Sequence, residues 1–178
     1  YRYQFNKKLA SFVNYTTHFE TPTLYEIGNS SELNPQQNVV GEIGFISENI
    51  RSEYSEVVLF KSRTTNEIIP FEIENEPGRS YFKNAGSTSR EGLELSLRRN
   101  ITQKLNLQFI HTFTKYRFVN FNSNENVLNG NFFPAIPKYF GKLNFINELN
   151  RNTELDLEIY YAGKVFLDDN NTSSTSNY

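Results

Sequence analysis

Hydrophobic and polar residues alternate along much of the chain, most clearly in the segment TELDLEIYYAG. One set of its positions holds Leu155, Leu157, Ile159 and Tyr161, and the other holds Glu154, Asp156, Glu158 and Tyr160. A strand places successive side chains on opposite faces, whereas a helix would scatter these acids around its surface. The pattern therefore predicts a β-strand with one apolar and one polar face.

The same period of two recurs in EGLELSLRRN, KLNLQFIHTFTKY and KYFGKLNFINEL, with exceptions at Ile110, His111 and Ile146. YRYQF also alternates, while LASFVNYTTHF, VVGEIGFIS and SEYSEVVLFKSR are rich in β-forming residues without clear faces. No window shows a helical stripe. We therefore predict about eight strands, with a short hairpin arm, EIIPFEIE, extending the fourth. Their predicted ranges are 1–5, 9–19, 38–48, 52–63, 81–98, 104–118, 138–149 and 153–166.

The connections between the predicted strands alternate between short and long. The short ones are NKK, SENIR, RNITQ and NRN, which are rich in Asn and charge as tight turns are. The long ones are FETPTLYEIGNSSELNPQ, TTNEIIPFEIENEPGRS, NFNSNENVLNGNFFPAIP and DDNNTSSTSNY. In an up-and-down sheet this order places all short turns at one end and all long loops at the other, as in outer-membrane barrels. Long loops without a helix are uncommon unless functional, so four of them at one end predict a binding mouth. Disordered surface tips are the alternative for any single loop.

Composition agrees with a membrane barrel but does not require one. The chain has 178 residues, with 16 Phe, 11 Tyr, no Trp, Met or Cys, and a net charge of −2. Its mean hydropathy is −0.59, and no apolar run approaches the ~20 residues of a membrane helix. Transmembrane strands also have low mean hydropathy, because only every second residue faces lipid. The absence of Cys excludes disulfides and thiolate metal sites, and the net charge gives nucleic-acid binding no electrostatic basis.

No pattern in the sequence favours an enzyme. His18 and His111 lie on different predicted strands and are too few to bind a metal. The pair Glu154 and Asp156 is better explained by a polar lumen than by glycosidase chemistry, and residues 168–171 lack the spacing of a calcium loop. Serine elbows, phosphate loops and dinucleotide fingerprints are absent from the sequence. We therefore predict no catalytic residues, no metal site and no cofactor.

Aromatic residues are the remaining candidates for binding. Those near strand ends fit either interfacial girdles or ordinary cross-strand packing. They are Tyr15, Phe19, Tyr116, Phe118, Tyr139 and Tyr161. Aromatics on loops often contact ligand. The predicted ligand contacts are Tyr25, Phe121, Phe132 and Phe133.

Three segments, in order along the chain, resemble motifs of TonB-dependent outer-membrane receptors. The first is FETPTLYEI followed by LNPQ and GEIGF, in which Ile27 and Gln36 replace the usual Leu and Glu. The second, YFKNAGSTSREGLELSL, is similar to the family's Asn-x-Gly and Gly-aliphatic-Glu-aliphatic pattern, and the third, PAIPKYFGKLNF, to a proline-bearing strand entry. The matching positions are Phe19, Pro22, Thr23, Glu26, Leu33, Pro35, Glu42, Asn84, Gly86, Gly92, Glu94 and Leu95.

This resemblance implies an all-β fold, a segment of an antiparallel up-and-down transmembrane β-barrel with about 22 strands in total. Residues 1–178 would supply about eight strands from the C-terminal side of that barrel, without the plug, the TonB-contacting segment or the final strands. The implied function is TonB-dependent uptake of a bulky, scarce nutrient across the outer membrane of a Gram-negative bacterium. A ferric siderophore is the leading substrate class, ahead of cobalamin and glycans. The implied partners are outer-membrane lipid, the TonB complex through the plug region, and that ligand.

Two other classes of protein stay open from the sequence. One is a passive porin or a structural outer-membrane barrel. The other is a soluble β-sandwich that binds glycans, whose strands would each bury one face against a second sheet. In the leading interpretation, Pro22 marks where a strand leaves its ladder and Pro35 stands just before the next, since proline cannot donate to a ladder. Phe19 is then expected near the outer rim, with the short turns facing the periplasm.

Overall fold

The structure is a computed structural model that describes residues 1–30, 32–49, 53–73, 75–84, 86–123 and 126–178. Within these ranges the chain forms β-strands and one short helix. The strands are β1 (Arg2–Gln4), β2 (Leu9–Glu20), β3 (Gln36–Glu48), β4 (Tyr54–Thr65), β5 (Ile68–Glu72), β6 (Ser80–Asn84), β7 (Ser87–Asn100), β8 (Leu105–Asn120), β9 (Asn122–Ser123), β10 (Asn126–Val127), β11 (Tyr139–Asn150) and β12 (Thr153–Ala162), and the helix is α1 (Leu24–Gly28).

Eight of these strands form one antiparallel sheet in the order β1-β2-β3-β4-β7-β8-β11-β12. Each of its strands therefore pairs with the next main strand along the chain, which confirms the predicted all-β, up-and-down architecture. The sheet is open, with β1 and β12 at opposite edges. Only the small hairpins β5-β6 and β9-β10 accompany it in the described part of the chain, so the second large sheet that a β-sandwich requires is not found there. No described helix is long and apolar enough to cross a membrane.

Several strand boundaries differ from the prediction. The predicted strand 81–98 is divided into β6 and β7 at Gly86, whose φ of +60° turns the chain between them. The segment EIIPFEIE contains β5, which pairs with β6 instead of extending β4. Asn66, with a φ of +56°, redirects the chain after β4, and the hairpin of β5 and β6 is called the arm below. The last predicted strand, 153–166, ends at Ala162. The predicted turn SENIR contains Ile50 and Arg51, which lie outside the described residues.

Helix α1 was not predicted, and its five residues are too few to show a helical period. A capping box starts it. The backbone N–H of Glu26 donates to Thr23 Oγ1 over 3.3 Å, and the Glu26 carboxylate accepts from the Thr23 backbone N–H over 2.6 Å. Two of the family-motif positions therefore have a local structural role.

The register of the ladders separates the sheet into an apolar and a polar face, because directly paired residues share a face. The apolar face includes Leu157, Leu107, Leu95, Val57, Ile43 and Val13. The polar face includes Glu158, Asn144, Gln108, Glu94, Glu42 and Asn14. Ile110 and His111 do not interrupt β8, since they simply point to the polar and the apolar face respectively.

The apolar face is uncovered. Leu157 is 51% exposed, Leu59 55% and Ile43 49%, although each lies in the middle of a long strand. An apolar surface that extends across a whole sheet marks contact with a membrane or with another protein. The fold therefore presents a wall with one apolar side and one polar side.

Candidate functional site

The long connections meet at one end of the sheet. They are residues 21–35, 66–86, 121–138 and 163–178, and they alternate with short turns at residues 5–8, 49–53, 101–104 and 151–152. This confirms the predicted sorting of connections by length. Side chains cap the short turns: Asn6 Oδ1 accepts from the backbone N–H of Lys8 over 2.8 Å, and Thr102 Oγ1 accepts from that of Leu105 over 3.0 Å.

The first long loop, 21–35, is docked on the arm formed by β5 and β6. Ser30 Oγ donates to the Phe82 carbonyl over 2.7 Å and accepts from the Phe82 backbone N–H over 2.9 Å. The Tyr25 ring meets the Phe82 ring edge to face at 5.6 Å. Pro22 follows the end of β2 and Pro35 immediately precedes β3, as predicted from their inability to donate to a ladder.

Asn84 joins three stretches of backbone. Its Oδ1 accepts from the Asn34 backbone N–H over 2.8 Å, and its Nδ2 donates to the carbonyls of Asn34 (2.9 Å) and Asn66 (2.7 Å). The side chain therefore connects the first long loop, the end of β4 and the arm. Its role at this family-motif position is to hold loops together.

Glycine is required at both glycine positions of the second motif, because atoms of neighbouring segments lie where a Cβ would be. A Cβ on Gly86 would lie 1.8 Å from the Asn120 carbonyl oxygen. A Cβ on Gly92 would lie 2.1 Å from the Phe113 carbonyl oxygen and 2.7 Å from the Phe60 ring, which covers this glycine from the neighbouring strand. Such an aromatic ring packed over a cross-strand glycine is a known way of shielding the exposed backbone.

Gln36 stands where the family usually has Glu, and both the nitrogen and the oxygen of its side-chain amide form hydrogen bonds. Its Nε2 donates to the Glu20 carboxylate over 2.6 Å, and its Oε1 accepts from the backbone N–H of Ile68 over 3.2 Å. The amide therefore fixes the start of β3 to the end of β2 and to the arm. Two further motif positions lie on the sheet: Phe19 is 61% exposed near the loop-bearing end of β2, and Glu94 lies on the polar face.

A small apolar core lies under the loops. It consists of Ile69 (5% exposed), Phe118 (1%), Phe121 (4%) and Leu128 (3%), with Phe133 packed against it. Phe118 and Tyr116 point to the polar side of the wall, because they alternate with Arg117 and Lys115 along β8. Of the two interpretations offered for these rings, an interfacial girdle or cross-strand packing, their position on the polar side does not fit a lipid-facing girdle. Tyr15, Phe19, Tyr139 and Tyr161 do belong to the apolar face.

A buried polar contact links this core to the arm. The Glu67 carboxylate accepts hydrogen bonds from the hydroxyls of Tyr116 and Thr88. Thr88 is only 1% exposed. Both oxygens of Glu67 are thus used to hold the base of the arm against β7 and β8.

Phe132 and Phe133 point in opposite directions. Phe132 forms a β-bridge with Arg117 and therefore shares the apolar face of the wall, where the Arg117 guanidinium (4.5 Å) and the Lys138 ammonium (4.0 Å) lie over its ring. Phe133 turns to the other side and stacks on Tyr116, with ring centroids 4.5 Å apart. The rings of Phe132 and Phe133 therefore lie on opposite faces of the wall.

The last two long loops are joined through Asn171. Its Oδ1 accepts from the Phe132 backbone N–H over 2.6 Å, and its Nδ2 donates to the Phe132 carbonyl over 2.8 Å. Asn171 has a φ of +59°, a left-handed conformation that Asn adopts more readily than most residues. The Phe132 ring also stacks on Phe166 at 5.8 Å.

Two adjacent aspartates in the fourth loop, Asp168 and Asp169, have pKa values that are shifted in opposite directions. Backbone N–H groups of Thr172 and Ser173 donate to the Asp168 carboxylate, over 3.1 and 2.7 Å, and hold its pKa below the usual value. Burial raises the pKa of Asp169, against an opposing effect of nearby Lys83. Among the residues that the structure describes, no three His, Asp or Glu side chains are grouped to hold a metal ion.

Cations packed on aromatic rings recur across the loops. Lys83 lies between the rings of Phe71 (4.9 Å) and Phe121 (5.1 Å). Arg79 lies over Tyr81 at 5.0 Å, and Lys164 over Phe166 at 5.2 Å. Arg79 is also paired with the Glu76 carboxylate, 3.3 Å away. These cations were not predicted from the sequence. Lys83 contacts rings that are distant in the chain, but Arg79 and Lys164 each precede their aromatic partner by two residues, a spacing that the sequence itself displays.

The four predicted contact residues are distributed over this end. Tyr25 is 63% exposed on α1, while Phe121 is buried in the loop core. Phe133 packs beside Phe121, and Phe132 lies on the other face of the wall. The structure therefore brings Phe121 and Phe133 together, and it keeps Tyr25 and Phe132 apart from them.

Comparisons with known proteins agree with this geometry. A family model described as TonB dependent receptor-like, beta-barrel, matches residues 1–178. Three solved structures superpose on 99% of this chain. The siderophore receptor PiuA of Acinetobacter baumannii has 18% identity and a TM-score of 0.77, with 27% of its own chain covered. The ferric yersiniabactin uptake receptor of Yersinia pestis has 16% identity and a TM-score of 0.72, also with 27% covered. A ferric enterobactin receptor mutant of Pseudomonas aeruginosa in complex with enterobactin has 13% identity and a TM-score of 0.76, with 30% covered.

At these identities the structural similarity establishes the fold. The chain spans less than a third of the length of each solved receptor. An open sheet is therefore what a part of such a barrel should show. The matched family and the solved relatives are transport receptors, which confirms the prediction that this chain is not an enzyme.

Proposed function

The chain belongs to the TonB-dependent receptor family, as part of the β-barrel, and from this premise we propose that it forms wall and ligand-binding mouth in an outer-membrane uptake receptor. Its eight main strands would be one part of a barrel of about 22 strands. The edges β1 and β12 would pair with further strands of the same receptor. The partners are then outer-membrane lipid and, through the plug region, the TonB complex.

The observation that carries this proposal is the joining of the long loops above a two-faced wall. Side chains such as Asn84 and Asn171 connect the loops in pairs, and the core around Phe118 supports them. A preorganised mouth of this kind reduces the ordering cost of binding. The uncovered apolar face is suited to lipid, and the polar face to a lumen. In this orientation the long loops are extracellular and the short turns periplasmic.

The leading substrate class is a ferric siderophore. Loop cations such as Lys83 and Lys164 lie on aromatic rings, an arrangement that favours an anionic chelate with rings of its own. The compared receptors are named for ferric siderophores. Tyr25 is proposed as a direct contact and Phe132 as a contact at the outer margin of the mouth. Phe121 and Phe133 would shape the floor that a ligand meets.

The proposal is tested with the full receptor in a bacterium whose own copy has been deleted. Uptake of ⁵⁵Fe-labelled siderophores should require both the receptor and an intact TonB system. A passive porin would admit small solutes equally well without TonB. Uptake that persists after TonB is removed would therefore refute active transport and favour the porin alternative.

A matched pair of substitutions tests the mouth. Tyr25→Ala removes an exposed aromatic ring from α1, whereas Leu24→Ala removes a side chain that is 90% exposed beside it. Loss of one ring contact should weaken siderophore binding about 5- to 10-fold, and the leucine change should leave it unaltered. Equal affinities for both variants and the unmodified receptor would exclude Tyr25 from the contact surface.

A further inference from the structure

The apolar face contains a groove that crosses several strands above Gly41. The groove has a volume of about 690 Å³. It exists because Gly41 leaves a gap in the row of side chains, with the Lys61 carbonyl oxygen, at 4.0 Å, the one heavy atom near the position of a Cβ. Its apolar walls are formed by Val13, Tyr15, Ile43, Leu59, Leu93 and Phe113.

A charged row follows the apolar rows toward the loop-bearing end. On β4, β7 and β8 one apolar row of the face contains Leu59, Leu93 and Phe113, which are direct ladder partners, and Val119 near the end of β8 is apolar again. The next row on the same face contains Lys61, Glu91 and Lys115, again in register. The row after that contains Arg63, Ser89 and Arg117. All six lie toward the loop-bearing end of the sheet.

These two rows are strongly cationic. Four cations share them with a single carboxylate, that of Glu91, which lies 3.7 Å from Lys61 Nζ. The Lys61 side chain remains 74% exposed despite this contact. Strands two apart are separated by roughly 10 Å, a distance that two flexible lysine side chains can span to reach one ligand. Arg63 and Arg117 are held nearby by Ser87 Oγ at 3.4 Å and by the Phe132 ring.

We propose that this groove binds an acylated lipid with a phosphomonoester headgroup, in the leaflet nearest the long loops. The phosphate would lie against Lys61 and Lys115, and an acyl chain would lie over Gly41. Charge complementarity supports this occupant, since phosphate oxygens accept charge-assisted hydrogen bonds from ammonium groups. The inference rests on the membrane orientation in the proposed function, but it concerns the outside of the wall, away from the ligand mouth.

A protein partner is less suited to the same surface. The groove is continuous with the apolar belt that faces lipid in the proposed orientation. Of the charged residues that line it, Lys61, Lys115 and Glu91 lie on the apolar face, whereas Glu42 belongs to the polar face. A lipid can contact both parts of this surface at once. Its acyl chain would lie on the apolar rows, and its headgroup would lie on the cationic rows nearer the long loops. Free phosphate would use the lysines but not the groove.

The test uses the delipidated full receptor in detergent, with binding measured by native mass spectrometry. The probes are dioleoyl phosphatidic acid, dioleoylglycerol and inorganic phosphate. The phosphatidic acid should bind, the dioleoylglycerol should bind much more weakly, and excess inorganic phosphate should not displace the lipid. Displacement by inorganic phosphate would mean a free-phosphate site and would overturn the proposal.

Two matched pairs of variants locate the site. The double variant Lys61→Gln/Lys115→Gln should weaken phosphatidic acid binding about 30-fold, while Lys7→Gln/Lys8→Gln, the same charge change in a short turn, should not. Filling the groove by Gly41→Leu should weaken binding about tenfold, whereas Gly28→Leu, on α1 with nothing within 4 Å of its Cβ, should not. Equal losses within either pair would refute the site.

Siderophore uptake separates this inference from the proposed function. The Lys61 and Lys115 variants should take up ⁵⁵Fe-siderophore as the unmodified receptor does. If lipid binding follows the predicted pattern but no siderophore is taken up by any variant, the proposed substrate is wrong and the lipid site stands. If uptake is normal and the Lys61→Gln/Lys115→Gln variant binds phosphatidic acid as tightly as the unmodified receptor, only the lipid site is refuted.

Discussion

Asn84 provides the sharpest test of how the loop end is held together. Its side-chain amide makes three hydrogen bonds, one to the Asn34 backbone N–H and two to the carbonyls of Asn34 and Asn66. Asn84→Ala removes all three. Asn84→Asp keeps the acceptor oxygen but places a carboxylate where the amide donated, against two carbonyl oxygens.

The magnitude follows from the hydrogen bonds that are lost. Each contributes about 0.5–1.5 kcal/mol net, and water can replace part of this because the contacts are near the surface. Loss of three should therefore destabilise the closed loop by about 1.5–3 kcal/mol. The aspartate variant should be destabilised at least as much, since repulsion between oxygens adds to the loss of two donors.

Hydrogen exchange of the full receptor measures this local opening. A loss of about 2 kcal/mol should speed exchange about 30-fold in residues 21–35 and 66–84, and exchange in the paired strands β8 and β11 should not change. The control is Asn14→Ala, which removes one hydrogen bond to Glu42 on the polar face. If the aspartate variant exchanges like the unmodified receptor in residues 21–35, Asn84 does not hold the loop.

Three further predictions concern the same end of the molecule. Gly86→Ala should prevent stable assembly of the receptor, because the new Cβ would lie 1.8 Å from the Asn120 carbonyl oxygen. The control is Gly78→Ala, where φ is +82° but the space is open, and this change should lower the free energy of unfolding by only about 1 kcal/mol. Similar melting temperatures for the two variants would contradict this. Because the pKa of Asp168 is lowered in the folded loop, its stabilisation is present above the unfolded pKa and is lost as pH falls through the folded pKa. Proteolysis of loop 163–178 should therefore accelerate in acid, and at pH 7 Asp168→Asn should accelerate it. The raised pKa of Asp169 has the opposite sign: its contribution is fully present below the unfolded pKa and is lost as pH rises through the folded pKa. Asp169→Asn should consequently slow proteolysis at pH 7, and equal effects of the two aspartate changes would disprove the electrostatic explanation.

Periodicity predicted the sheet because strand faces are a local property. In β12 the sequence alone assigned Leu155 and Leu157 to one face and Glu154 and Asp156 to the other, and the ladder to β11 confirms this separation. Loop lengths also follow directly from strand positions, so their sorting to one end could be predicted. Both inferences use the fact that an up-and-down sheet reverses direction at every connection.

The contents of the loops could not be predicted in the same way. The segment around Gly86 is β-rich on both sides, and only the left-handed conformation of the glycine shows that two strands belong to different sheets. Phe132 and Phe133 are adjacent aromatics with the same propensities, yet one meets Arg117 and the other Tyr116. Their directions depend on the bridge to β8, a contact between segments that the sequence does not pair.

Gln36 shows how a departure from a family pattern acquires a reason in the structure. A glutamate at this position would place a second carboxylate 2.6 Å from that of Glu20, at the point where β2 and β3 begin to separate. The amide avoids this repulsion and still accepts the backbone N–H of Ile68. Positions 20 and 36 are therefore chemically coupled: an acid at one requires a donor at the other. Gln36 thus holds its loop in place as the motif residues Thr23, Glu26 and Asn84 do.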